Sequence, residues 1–342
     1  MKRFLLQLVK ATVTFGLIGY IVQLIDWNAF ALLWPLINWG WMAVAPLVYL
    51  VALSGTAYRW HTMLKGLQIP FSVVHSFIAY LLGTFYNLIL PGGLGGDLIR
   101  VGYAKKQTKA STTLLASTAL MERFFGSMIS FQVGAVTLLF LSTQLLTQLG
   151  ATVVALVIGG ALYITGWMLG FFLFWDKVSK RLPKGLTRGK LSKKMFSASG
   201  EIQRLSWGTR HRIVAGTTCY LICDAFASYA LSQGLGLDIP YTVFLLLNPF
   251  IYLAMAFPLS LGGLGVREGV VVSFLALLGV HTTEAATLAF LIYLNHAVVG
   301  LGGGVVQLTL GLHPHDEAEK IQKEREEHEE HEEEDLDTSS SA

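Results

Sequence analysis

Charge is scarce in this chain. Only 14% of its 342 residues are Asp, Glu, Lys or Arg, where a soluble domain carries about 25%. No stretch is long and polar enough to fold as a soluble catalytic domain. Cysteine is nearly missing. Cys219 and Cys223 share one apolar run, so no disulfide framework is implied. Catalytic signatures are absent as well. There is no Gly-rich phosphate loop ending in Gly-Lys-Ser/Thr, no His-Glu-x-x-His and no nucleophile elbow. The only Asp-x-Asp, Asp335/Asp337, falls in a polar tail, which argues against a metal-dependent sugar-nucleotide site. The expectation is a protein that is not an enzyme, holds no cofactor or metal, and does not bind nucleic acid.

What is present is apolar. Hydrophobic residues make up 53% of the chain, and mean hydropathy is +0.56. Several runs reach the roughly 20 residues that cross a bilayer as helix. The composition therefore predicts an all-α, polytopic integral membrane protein. Full spans are expected at Phe4–Ile25, Trp39–Trp60, Thr113–Leu141, Ala151–Trp175, Ile213–Leu235 and Glu284–Leu310. Met1-Lys2-Arg3 before an apolar run resembles a signal peptide. The run is too long, contains Lys10 and shows no clear cleavage site, so it reads as a retained first span. Trp34, Trp39, Trp41 and Trp60 suit interfacial belts.

The net charge of +3 hides a split. The membrane region, 1–312, is basic, and the tail, 313–342, is acidic and nearly free of apolar residues. Such a tail cannot bury a core and is expected to be disordered. His313, His315, His328 and His331 lie among its carboxylates; a loose metal site is conceivable, and a solvated tail is the preferred reading. The basic residues bear on orientation. Lys2/Arg3, Arg59/Lys65, Lys105/Lys106/Lys109 and the basic loop 176–212 fall on one side if two further segments return to the side they came from. The positive-inside rule then places both termini in the cytoplasm.

Those two segments are the most informative part of the chain. Val73–Leu90 runs into Pro91-Gly92-Gly93-Leu94-Gly95-Gly96-Asp97, followed by Arg100. About 170 residues later, Val243–Phe257 runs into Pro258 and then Gly262-Gly263-Leu264-Gly265-Val266-Arg267-Glu268. The tetrapeptide Gly-Gly-Leu-Gly is identical in both. Proline and glycine break helices. Broken backbone at membrane depth is tolerated only against protein or a water-filled cavity. Paired Gly/Pro-interrupted segments in two halves mark a transporter's binding site. Three expected spans separate them, so one enters from each face, as in an inverted repeat of two re-entrant helix pairs.

Ionisable groups inside apolar runs are costly and need a partner or a purpose. Asp97 and Arg100, Glu122 and Arg123, Asp224, Arg267 and Glu268, and His296 all fall there. Arg100 and Arg267, each beside a new helix start, are candidates to hold an anionic head group. Asp97 and Glu268 would orient them, and Glu122, Arg123 and Asp224 would line or gate the path. Tyr86, Asn87, Asn248 and Tyr252 could line the same hollow. The competing reading is that these groups only hold spans in register. Gly166…Gly170 and Gly300…Gly304 have the spacing of close helix packing.

On Asn87-Leu88-Ile89-Leu90-Pro91, Gly95-Gly96-Asp97, Arg100, Glu122-Arg123 and Pro258 through Glu268, residues 4–310 resemble the lysylphosphatidylglycerol synthase transmembrane family, also called flippase-like domain proteins. The resemblance implies a polytopic inner-membrane domain with two re-entrant elements. In its best-known members that domain moves an aminoacylated phosphatidylglycerol between leaflets, after a fused soluble domain makes the lipid. This chain has no aminoacyl-transferase domain, so synthase activity is not expected and the lipid does not carry over. The expected function is transport of an anionic or aminoacylated phospholipid, passively or driven by an ion gradient. The expected partners are membrane lipids and a separate lipid-modifying enzyme. Two other readings stay open. One is a membrane-embedded enzyme using Asp97, Glu122 or Glu268 as base. The other is an accessory scaffold that recruits partners through its basic loop and acidic tail.

Overall fold

The computed structural model describes residues 37–89, 95–181, 205–256 and 265–310. The expected first span, the centre of the basic loop, the tail, and the breaks at Pro91, Gly92, Gly93, Pro258, Gly262 and Gly263 lie outside the described residues. The described chain is all helix: α1 (Trp39–Gly66), α2 (Val73–Ile89), α3 (Gly95–Gln107), α4 (Thr112–Leu138), α5 (Thr143–Arg181), α6 (Trp207–Gly234), α7 (Tyr241–Ala256), α8 (Val266–Leu277) and α9 (Thr282–Leu310). Local chemistry sets several starts. The Asn38 side chain accepts from Gly40 N–H at 3.1 Å to open α1. Ser111 and Ser206 do the same for α4 and α6, accepting from Leu114 and Thr209 N–H at 3.2 Å.

Four described helices, α1, α5, α6 and α9, are long and apolar enough to cross a bilayer. The α4 helix has spanning length at 27 residues but carries Glu122 and Arg123. By contrast α2, α3, α7 and α8 have 17, 13, 16 and 12 residues. At 1.5 Å per residue they measure about 18–26 Å, short of the roughly 30 Å hydrocarbon core. Leu139, Leu162 and Leu308 are among many apolar side chains that point outward from the helices. Such a surface suits lipid rather than water.

The first short pair folds back on itself. The Gly96 N–H donates to Asn87 Oδ1 at 2.9 Å, which ties the start of α3 to the end of α2. At the other end, the Tyr103 ring of α3 lies 6.1 Å from His75 at the start of α2, and 6.3 Å from Phe71 just before it. The pair is an antiparallel hairpin whose outer ends meet, as expected for a re-entrant element. In the second pair, Phe250 of α7 stacks on Phe274 of α8 at 5.4 Å.

Helix contacts repeat between the halves. Exchange α1, α2, α3, α4 for α6, α7, α8, α9 and the contacts among these eight helices map onto one another, while α4–α5 has no counterpart among the described helices. The α2–α9 contact becomes α7–α4, α1–α2 becomes α6–α7, and α9–α1 becomes α4–α6. Helices α1 and α6, the extensive central pair, exchange with each other. They touch at Gly55 and Gly216. A Cβ on Gly55 would sit 3.1 Å from the Gly216 carbonyl, and one on Gly216 would sit 2.9 Å from the Gly55 carbonyl. Gly134 and Gly304, separated by the same interval as the repeated tetrapeptides, are a second matched pair. Each seats a side chain from the other half's broken helix, Pro249 of α7 and Phe85 of α2.

The structure revises several expectations. The Gly300…Gly304 spacing does pack, against Leu88, Thr84 and Phe85 of α2, whereas a Cβ on Gly166 would meet nothing within 4 Å. The side chains around Gly170 lie outside the described set. The uncharged link before Gly150 is helical from Thr143, and Gly150 (φ 76°) is the kink between two helical pieces of α5. Both ends of the expected basic loop are helix, to Arg181 in α5 and from Trp207 in α6. Trp60 is no interfacial anchor: it is fully buried and donates Nε1–H to Thr118 Oγ1 at 3.0 Å.

Candidate functional site

The intramembrane charges form two centres. The first joins α1, α2, α3 and α4 around the Glu122 carboxylate, which is 2% exposed. Arg59 Nε donates to its Oε1 at 2.9 Å, and Arg100 Nη1 donates to Oε2 at 2.5 Å. The Tyr80 hydroxyl donates to the same carboxylate, 2.7 and 2.8 Å from its two oxygens. Arg100 Nη2 continues to Asp97 Oδ1 at 3.0 Å, and Arg123 Nε reaches Asp97 Oδ2 at 2.6 Å. Arg59 Nη1 donates to Thr217 Oγ1 of α6 at 3.2 Å. The Arg100 guanidinium also lies between two aromatic faces, 4.6 Å from the Trp60 ring centroid and 4.4 Å from that of Tyr80. Three arginines face two carboxylates, so the centre carries one net positive charge. A buried carboxylate needs this many donors, because removing it from water costs several kcal/mol before pairing.

Arg59 is the residue that sequence reasoning missed. Its place at the end of the expected span Trp39–Trp60 groups it with Lys65 as an orienting cation, but α1 runs on to Gly66 and buries Arg59 to 6% exposure. The available signal was Glu122, a deep acid with more than one cation's worth of demand. The sequence paired it only with its neighbour Arg123, which the structure turns to Asp97.

The second centre is a cavity of about 160 Å³ between α6, α7, α8 and α9. Its polar lining is Tyr220, Asp224 and Ser228 of α6, Asn248 and Tyr252 of α7, Arg267 of α8, and His296 of α9. His296 is the middle residue of α9. Its Nε2 lies 3.2 Å from Asp224 Oδ1, its Nδ1 lies 2.6 Å from the Ile292 carbonyl, and its ring packs edge-on against Tyr49 of α1 at 4.1 Å. Arg267 is paired with Glu268 Oε1 at 2.9 Å. Glu268 Oε2 in turn accepts from Gly265 N–H at 2.7 Å, which fixes the acid on the first turn of α8. Gly265, the last glycine of the repeated tetrapeptide, has φ 81°, a conformation that other residues resist.

The sequence-predicted residues therefore divide. Asp224, Asn248, Tyr252 and Arg267 line the cavity, and Glu268 clamps Arg267. Asp97, Arg100, Glu122 and Arg123 belong to the first centre, and Arg100 is not among the cavity's lining residues. Asn87 caps α3, and Tyr86 is buried in the apolar core around Trp60. Tyr252 lies between the centres. It packs on Gly126, one turn from Glu122, and it lies within electrostatic reach of Arg59, Glu122 and Arg123 on one side and Asp224 on the other. Among the described residues no three His, Cys, Asp or Glu side chains come together to hold a metal ion.

Comparison with known proteins gives a consistent picture. The chain is similar to a UPF0104 membrane protein of Methanothermobacter thermautotrophicus, 25% identical over 271 residues that cover 72% of this chain and 78% of that protein. It is also similar to the UPF0104 membrane protein PH1989 of Pyrococcus horikoshii, 23% identical over 273 residues, 72% of this chain and 80% of that one. No solved structure matches. The model of the family described as the lysylphosphatidylglycerol synthase TM region matches residues 7–304. With a polytopic helical body, two short broken pairs and charges gathered at both, the chain belongs to the lysylphosphatidylglycerol synthase TM region family.

Proposed function

We propose that this chain is a flippase of the cell inner membrane that moves an anionic or aminoacylated phospholipid between leaflets, with both termini in the cytoplasm. The observation that carries the reading is the cavity in which Arg267, at the head of a half-length helix, meets Asp224 and His296 from the middles of two long helices. Such a hollow has room for a small polar group such as a phosphate and none for an acyl chain. The head group crosses through protein while the tails stay in the bilayer. Arg267 is the anchor because guanidinium matches phosphate geometry, and Glu268 holds it in place. The first centre, with its buried ion pairs on Glu122, is a hub that fixes α2 and α3 against α1 and α4. Tyr252 joins hub and cavity.

The family's lipid connection supports the substrate class, and a separate enzyme is the source of any modified lipid. The chain performs no bond chemistry in this account. The test is leaflet exchange by the full chain in proteoliposomes, using phospholipids labelled on the head group. Exchange well above that of protein-free vesicles supports transport. Exchange equal to theirs for anionic and aminoacylated lipids alike overturns it.

A further inference from the structure

The contact between Asp224 and His296 is one proton short of a hydrogen bond unless a proton is supplied. The Ile292 carbonyl can only accept, so His296 Nδ1, 2.6 Å away, carries hydrogen. A neutral imidazole in that tautomer presents a bare lone pair at Nε2. Opposite it, 3.2 Å away, stands Asp224 Oδ1, an acceptor when ionised. Two acceptors facing each other in a half-buried site repel. One added proton resolves the clash, either as imidazolium donating to carboxylate or as carboxylic acid donating to imidazole.

We propose that Asp224 and His296 form a proton-binding site that is linked to anion binding in the same cavity. The proposal rests on the transport reading and names its coupling ion. With the proton bound, the Asp224–His296 pair is neutral, and the cavity is one charge unit more positive than without it. Arg267 then attracts an anionic head group. Once the proton leaves, the buried negative charge of Asp224 opposes the phosphate. Binding is reciprocal by linkage: the anion pulls a proton onto the pair, and the proton strengthens anion binding. No bond is made or broken beyond transfer of that proton between the pair and water on either side.

Other titratable groups face the pair from each packed element. Tyr49 comes from α1, Tyr220 from α6 itself, Tyr252 from α7 and Arg267 from α8, with Glu268 behind Arg267. Tyr293, on α9, lies 5.9 Å from the Arg267 guanidinium. Arg59 and Glu122 are beyond Tyr252. No residue of α2, which packs along α9, lines the cavity. Among these groups only the Asp224–His296 contact lacks a proton that its own geometry requires.

The experiment is calorimetry of short-chain phosphatidylglycerol binding to the full chain in detergent, repeated in buffers of different ionisation enthalpy. The heat difference counts protons taken up per lipid bound, so weaker binding does not obscure the count. Across a pH series, wild type is expected to reach an uptake of about one proton per lipid bound. Asp224→Asn and His296→Gln, each checked for monodisperse elution, are expected to take up none. Equal uptake by wild type and a folded variant overturns the proposal, as does binding without uptake, or no binding, in wild type. If the variants do not fold, the wild-type count alone decides. Proton-linked binding without leaflet exchange would leave this site standing and remove the transport reading.

Discussion

Arg59 and Glu122 lie 63 residues apart in sequence and 2.9 Å apart in the fold, with both side chains nearly sealed from solvent. This contact ties α1 to α4, and Glu122 extends it to Arg100 and Tyr80. Removing one partner of such a pair strands a buried charge. Glu122→Ala is expected to cost about 3–5 kcal/mol, because it leaves buried Arg59 without its carboxylate and Arg100 with Asp97 alone. Arg123→Ala is expected to cost far less, since the Arg123 side chain is 39% exposed and pairs with a partly exposed acid. Thermal unfolding in detergent separates the two outcomes. Equal losses would mean that Glu122 is not the hub.

The α1–α6 crossing is expected to be intolerant of a methyl group. A Cβ on Gly216 would lie 2.9 Å from the Gly55 carbonyl and 3.1 Å from Arg59 Cβ, so the helices must separate. Gly216→Ala is expected to cost about 1–3 kcal/mol by overpacking. It should also loosen the first centre through Arg59. At Gly159, where a Cβ meets nothing within 4 Å, the same change should be neutral or slightly stabilising.

The hairpin geometry of α2 and α3 makes a labelling prediction. Cysteines placed at Val74 and Lys106, in a background with Cys219 and Cys223 replaced by Ala, should react with an impermeant maleimide from the same side of the membrane. Both positions lie at the outer ends that His75 and Tyr103 bring together. Reaction from opposite sides would show that the pair crosses.

Gly265 supports the start of α8 in a left-handed conformation. Gly265→Ala strains that turn by roughly 1 kcal/mol or more. It is expected to shift Arg267 out of register with Asp224, lowering transport more than stability. A variant with normal exchange and a normal melting temperature would show that the turn does not position the arginine.

Much of the architecture was legible in the sequence because membrane helices announce themselves by length and apolarity. The repeated Gly-Gly-Leu-Gly placed the two short pairs correctly, and the helix contacts carry the same exchange of halves. The division of charges into two centres was not legible. Arg100 and Arg267 both follow a Gly-Gly-Leu-Gly tetrapeptide but in different registers: Arg267 stands where the first half has Asp97, and Val270 stands where it has Arg100. Arg100 is bound by Glu122, while α9 carries Ile292 at the position matching Glu122 and so offers Arg267 no such acid. Arg59 was missed because it sits near a helix end, next to His61 and Lys65, where a cation looks solvated. Its partner is visible only once α1 and α4 are packed. The proton requirement of Asp224 and His296 comes from which imidazole nitrogen faces a carbonyl, and no sequence pattern encodes that.

The central claim is that an anionic head group crosses the membrane on Arg267. The most direct measurement compares leaflet exchange of phosphatidylglycerol and phosphatidylcholine by wild type, Arg267→Lys and Arg267→Gln at matched reconstitution and fold. The account predicts that Arg267→Gln loses about tenfold or more of phosphatidylglycerol exchange, the equivalent of one lost charge-assisted contact of roughly 1.4 kcal/mol or more. Arg267→Lys should keep part of it. Undiminished phosphatidylglycerol exchange in a folded Arg267→Gln protein would contradict the account.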